Sequence, residues 1–152
     1  MVVFGYLERE PYLSIMNDTF DDETMLANLR LLTADDDPPL EPTQNAGDQS
    51  YSKTKILGEQ IANEFIKKTT KSIVIMRLGW VNIYNNPGAS WLRTVWLSYR
   101  DLCSFVDKVL ESPLNISGTY FLTSNNHRKW MDIDKAKRDL NYIPIDGANK
   151  LN

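Results

Sequence analysis

The stretch QSYSKTKILGEQ, residues 49–60, holds a tyrosine and a lysine four positions apart, Tyr51 and Lys55. On a helix that spacing puts both side chains on one face, one turn apart. A phenol ionises near about 10, so alone it is a poor base at neutrality. A neighbouring ammonium favours the phenolate and lowers that value. A tyrosine so placed can take the proton of a sugar hydroxyl as hydride leaves the same carbon. The lysine can also hold the ribose of a cofactor. In a chain with seven tyrosines the pair can equally arise by chance on a lysine-bearing surface.

The elements around the pair decide what it could do. A helix starts near Ser50, with Ile56, Leu57, Ile61, Phe65 and Ile66 on one broad apolar face. It closes in the cationic KKTTK, which suits a helix C-terminus. SIVIMRLGWV, residues 72–81, is a nearly continuous apolar, β-branched run. That pattern predicts a strand buried on both faces, as in a parallel sheet covered by helices. A second helix spans SYRDLCSFVDKVLES, with Ser98 and Asp101 at capping-box spacing and Leu102, Phe105, Val106, Val109 and Leu110 as its buried stripe. GTYFLTS reads as a strand, and DIDKAKRDL as a short helix with Asp132 as its cap. Upstream, MVVF reads as a short strand and DDETMLANLRLL as a short helix whose stripe includes Leu32. TADDDPPLEPTQNAGDQ reads as a loop, because its prolines and acidic run deny it a regular element. Alternating helices and strands argue an α/β fold.

Composition narrows the function. The 152 residues carry a net charge of −3, which does not suit a general nucleic-acid binder. No apolar run reaches membrane-spanning length, and MVVFGYLEREPYL is not a signal peptide. Cys103 is the one cysteine, which favours a reducing, cytoplasmic setting. His127, the one histidine, sits in the polar SNNHRKW and is read as a surface residue; with a single distant cysteine it makes no zinc site. The acidic runs read as solvated loops, and no metal site is expected.

Several segments, taken in order, resemble the extended short-chain dehydrogenase/reductase family, the NAD-dependent epimerase/dehydratases. YSKTKILGEQIANEF followed by SIVIMRLGWV is similar to the family's Tyr-x-x-x-Lys helix and the buried strand after it. DDDPPLEP resembles the acidic, proline-rich loop before the family's tyrosine. WLRTVWLSYRDLCSFVDKVLESP resembles the segment that sets a helix over the sugar site, and GTYFLTSNNHRKWMDIDKAKRDLNYIPIDGA resembles the C-terminal tail. The resemblance covers about residues 34–149 and the first six, and is closest to the uronate dehydrogenase and archaeal sugar dehydrogenase branch.

By that resemblance Tyr51 is the acid/base, and Lys55 lowers its pKa and binds the nicotinamide ribose. Leu78, Gly79 and Trp80 lie against the nicotinamide of NAD or NADP, Gly79 permitting close backbone approach. Arg93 faces a sugar carboxylate or phosphate. From the residues alone, Trp80 could be core packing, Arg93 a solvated arginine, and Asp101 a helix cap. The implied reaction is hydride transfer from a sugar carbon, with a sugar or sugar-acid substrate and dehydrogenation favoured over nucleotide-sugar epimerisation.

The chain departs from the family in one respect. None of its seven glycines forms G-x-x-G-x-x-G or G-x-G-x-x-G, the turn that brings a helix N-terminus to the pyrophosphate. VVFGY aligns with the stretch after the family's central strand, so the Ser or Thr of the proton relay falls at or before Met1. The chain therefore reads as a single incomplete domain, the C-terminal portion of a Rossmann-type doubly wound sheet. Residues 1–97 would form the second half of the core, with an insertion near 8–33, and 98–152 the small substrate-side part. Such a portion is expected to be inactive alone, and to pair as a homodimer or with a complementary N-terminal fragment. The alternative is a non-enzymatic fragment retained for oligomerisation or without function.

Overall fold

The computed structural model describes residues 30–36, 49–88, 90–113, 115–129 and 131–148. The strand expected at 1–4, residues 8–29 of the insertion expected near 8–33, and most of the proline-rich loop lie outside the described residues.

The first described helix, α1 (Gln49–Lys68), carries Lys67 and Lys68 in its last turn. Strand β1 (Val74–Leu78) follows. A 3-10 helix (Ser90–Val95) then leads to α2 (Tyr99–Glu111). Strand β2 (Gly118–Leu122) and the short helix α3 (Asp134–Leu140) complete the order.

β1 and β2 pair in parallel, with Val74 opposite Gly118 and Leu78 opposite Leu122. Parallel neighbours need a crossover, and α2 supplies it. β1 and β2 thus join across the boundary expected at residues 97 and 98. Alternation along β1 sends Arg77 towards α1, while Val74 and Met76 line a groove with Val106 and Leu110 of α2. The core gathers Phe105, Tyr120, Phe121, Leu122, Leu140 and Tyr142 with Val95 and Leu97. Phe105 meets Tyr142 edge-on at 5.4 Å and Tyr120 at 5.9 Å, within the range aromatic pairs favour.

Ser98 caps α2: its Oγ accepts the Asp101 amide at 3.0 Å. Asp101 does not complete the reciprocal box. The Ser98 amide donates instead to Ser124 Oγ at 3.0 Å. The Asp101 carboxylate is buried and accepts from the Ser124 hydroxyl at 2.5 Å and from the amides of Ile145 (2.7 Å) and Asp146 (3.2 Å). It pins the segment after α3 to the start of α2. Arg100 and the Ser98 hydroxyl bond Asp146 in turn, and hold its carboxyl below the usual range. Asp132 caps α3 from one residue further out than a usual cap, accepting the Asp134 amide at 2.5 Å.

Three patterns differ from expectation. Leu32 lies in a parallel bridge with Met131, so the chain is extended where the helical stripe was to end. β1 is not buried on both faces: Met76 and Leu78, on the face opposite Arg77, are exposed. On α1 only Ile56 of the expected apolar face is buried in the core; Leu57, Ile61 and Phe65 face outward, as do Val106 and Leu110 on α2. An apolar stripe records that a face avoids water, not which neighbour covers it.

Candidate active site

Tyr51, Thr54, Lys55, Gly58, Glu59 and Ala62 recur at three- and four-residue intervals, which makes them one face of α1. That face forms one wall of a cleft of about 730 Å³. The opposite wall is β1 and its exit, from Ile75 to Val81. Gly58 and Ala62 keep the helical wall shallow between the longer side chains.

Tyr51 and Lys55 are both exposed at the mouth of the cleft. The Lys55 ammonium stands 5.2 Å from the centroid of the Tyr51 ring, a cation–π distance. Thr54 donates its hydroxyl to the Tyr51 carbonyl at 2.7 Å, which occupies that side chain locally.

Across the cleft, the backbone leaving β1 is tied down. The Gly79 amide donates to the Leu122 carbonyl at 2.8 Å, and the Trp80 amide to the Val95 carbonyl at 2.7 Å. Trp80 forms a parallel bridge with Trp96, and the Leu97 amide returns to the Trp80 carbonyl at 2.9 Å. A Cβ on Gly79 would run into the Val95 carbonyl and lie 2.9 Å from that of Leu122. The close approach that demands glycine here is therefore to the chain's own backbone. Trp80 is half-buried: it packs against the core and also lines the cleft, so core packing and cleft lining coexist in one side chain.

Five of the six residues singled out in the sequence, Tyr51, Lys55, Leu78, Gly79 and Trp80, meet in this cleft. Arg93 does not line it. It is half-buried on the 3-10 helix whose last residue, Val95, bonds Trp80. Glu59 and Arg77 line the cleft too; Arg77 opens the strand end that the sequence placed at the ligand-binding edge of the sheet, but neither residue was given a role. Their signals were an acidic residue continuing the four-residue spacing from Tyr51 and Lys55, and an arginine inside an apolar strand. His127 is exposed, and among the described residues no cluster of three or more His, Cys, Asp or Glu could hold a metal. Among those residues, too, no helix is long and apolar enough to cross a membrane.

Known proteins give this geometry a context. No protein-family model matches the chain. Uronate dehydrogenase from Agrobacterium tumefaciens superposes with a TM-score of 0.63 over 78% of this chain and 41% of its own, at 24% identity. The chain shares the fold of the part of uronate dehydrogenase that it matches. A variant of that enzyme in complex with NAD aligns equally well. Glucuronic acid dehydrogenase from Chromohalobacter salexigens gives a TM-score of 0.57 at 23% identity, over 66% of this chain and 36% of its own. By sequence, the chain is 29% identical over 100 residues to the NAD-dependent glucose-6-phosphate dehydrogenase of Haloferax volcanii, which is 64% of this chain and 37% of that enzyme. The chain thus spans about two fifths of the length of the proteins it matches. These relatives are sugar or sugar-acid dehydrogenases, and NAD(P) is the cofactor the resemblance implies.

Proposed function

We propose that this chain carries the proton-handling part of an NAD(P)-dependent sugar dehydrogenase. One observation carries the reading: Tyr51 and Lys55 face the strand exit Leu78–Gly79–Trp80 across one cleft. The apolar wall of Ile75, Leu78, Trp80 and Val81 suits a nicotinamide ring, and the exposed Lys55 ammonium suits ribose hydroxyls.

In this mechanism Lys55 binds the ribose and stabilises negative charge on the Tyr51 oxygen. Tyr51 accepts the proton of a sugar hydroxyl while the hydrogen on the same carbon leaves with its electron pair, so that the alcohol becomes a carbonyl. A bound NAD(P)+ would supply the acceptor for that hydride. Tyr51 then returns its proton to solvent. Arg93, on the turn beside Trp80, is the proposed partner of a sugar carboxylate or phosphate, which guanidinium binds with two parallel bonds. The names of the relatives, uronate, glucuronic acid and glucose-6-phosphate dehydrogenases, support an anionic sugar as substrate.

The pyrophosphate has no glycine-rich cradle in this sequence. The cradle and the hydroxyl partner of Tyr51 are therefore assigned to a separate nucleotide-binding segment, and the chain by itself is inactive. A second reading, a module that acts only by self-association, draws on the exposed stripe of Leu57, Ile61 and Phe65 on α1. The two part in one experiment. The chain is fused behind the nucleotide-binding portion of the Agrobacterium enzyme, and cofactor reduction is followed with hexuronates and hexose phosphates. Turnover lost in Tyr51→Phe and Lys55→Ala supports the dehydrogenase. Turnover undiminished in both variants overturns the assignment.

A further inference from the structure

Arg77 is an arginine one residue from the end of an otherwise apolar strand, and it is buried. Its side chain is 6% exposed and that of its partner Glu59 is 13% exposed. The guanidinium grips both Glu59 oxygens, Nε at 3.1 Å from Oε2 and Nη2 on Oε1. Its Nη1 donates to the backbone carbonyls of Ala34, at 3.2 Å, and Asp36, at 2.7 Å. Its Cζ lies 5.2 Å from the centroid of the Phe121 ring on β2. One side chain thus ties together α1, both strands and the stretch before α1.

A buried ion pair is a weak source of net stability, since desolvating two charges offsets most of their attraction. Its geometric consequence is larger. Among the described residues of α1, Ser52 and Ile56 are buried, and both lie on the first two turns. Glu59 is one turn beyond Lys55 and two beyond Tyr51, on the same face. Arg77 is the residue before Leu78 and two before Gly79. The pair therefore fixes the height and rotation of the Tyr51–Lys55 face relative to the strand exit opposite.

Resting on the dehydrogenase reading, we infer that Glu59 and Arg77 are positioning residues for the cleft: their two-pronged bond sets the separation between the Tyr51–Lys55 pair and the strand exit. Oriented sites are sensitive to this, since a misplacement of about 1 Å can cost on the order of 100-fold in rate.

The distance test uses the whole chain with Cys103→Ser and spin labels at Lys53→Cys on α1 and at Ile83→Cys, exposed just past the strand exit, and saturation transfer is read on the unlabelled chain. Glu59→Gln should broaden the interlabel distance distribution well below the melting temperature, and should abolish saturation transfer to nicotinamide protons of added NAD+. Glu64→Gln, which removes two exposed ion pairs on the same helix, with Lys67 and Lys68, should change neither. If Glu59→Gln does not fold, Arg77→Lys, which keeps the charge and loses the two-pronged grip, carries the test. A narrow, unshifted distribution in the folded variants, with only a lower melting temperature, overturns positioning and leaves a stabilising role. Broadening in the variants, with no saturation transfer even in the parent chain, upholds the clamp and overturns the cofactor reading.

Discussion

The chain has two glycines in the cleft walls, and adding the same methyl group to each should have opposite effects. At Gly79 the new Cβ meets the Val95 carbonyl and, at 2.9 Å, the Leu122 carbonyl, with Thr123 Cγ2 at 3.2 Å. Two of these are backbone atoms, so the strand exit itself must move. The movement strains the bonds from the Gly79 and Trp80 amides, 2.8 and 2.7 Å long. Overpacking costs about 1–3 kcal/mol and a strained hydrogen bond about 1 kcal/mol. Gly79→Ala should therefore destabilise by about 2–4 kcal/mol, a fall in Tm of roughly 6–12 °C for a domain of this size. At Gly58, inside α1, nothing lies within 4 Å of the new Cβ. There alanine lowers the entropy of the unfolded chain and should stabilise by about 0.5–1 kcal/mol, while its methyl intrudes on the cleft. Thermal and urea unfolding followed by circular dichroism gives both numbers, and amide exchange at Trp80 reports the strand exit directly. A Gly79→Ala variant within about 0.5 kcal/mol of the parent, the range of an ordinary surface change, with Trp80 protection unchanged, would refute the packing argument.

Three further outcomes follow from the same structure. Asp101→Asn puts an amide where the Ser124 hydroxyl and the Ile145 and Asp146 amides all donate, and should cost about 2–4 kcal/mol in urea unfolding. Burial, and then the nearby Asp139 charge, push the Tyr120 phenol up to about 12. The unfolded chain loses that proton near about 10, so stability should fall as pH rises from about 10 through the folded value, and alkaline unfolding should be shallower in Tyr120→Phe. Tyr51→Phe and Lys55→Ala trim exposed side chains, the first by a hydroxyl alone, and should leave the melting temperature within about 2 °C of the parent, so lost turnover in the fusion cannot be put down to unfolding.

Much of the framework was legible in the residue pattern. The helix around Tyr51, the strand in SIVIMRLGWV, the Ser98 cap and the strand in GTYFLTS all lie where periodicity and capping put them, because local chemistry decides those features. The convergence of Tyr51 and Lys55 with Leu78, Gly79 and Trp80 was legible through resemblance, not through spacing. Three kinds of feature were not. Leu57, Ile61 and Phe65 are apolar at helical spacing yet exposed, since periodicity is silent about what lies opposite. Asp101 has the spacing of a capping-box partner, but the amides it binds come from residues more than forty positions away. The pairing of Glu59 with Arg77 was not legible, because only the fold brings residues 18 apart in sequence into a buried pair.

The central claim is that this cleft receives the nicotinamide end of a dinucleotide. Saturation-transfer NMR on the unlabelled chain with millimolar NAD+ and NADP+ tests it most directly, because it reads weak binding atom by atom. The expected result is strong transfer to the nicotinamide and its ribose, weaker transfer to adenine, and loss of both in Lys55→Ala. Transfer that is strongest at adenine, or that persists unchanged in Lys55→Ala and Tyr51→Phe, would contradict the claim.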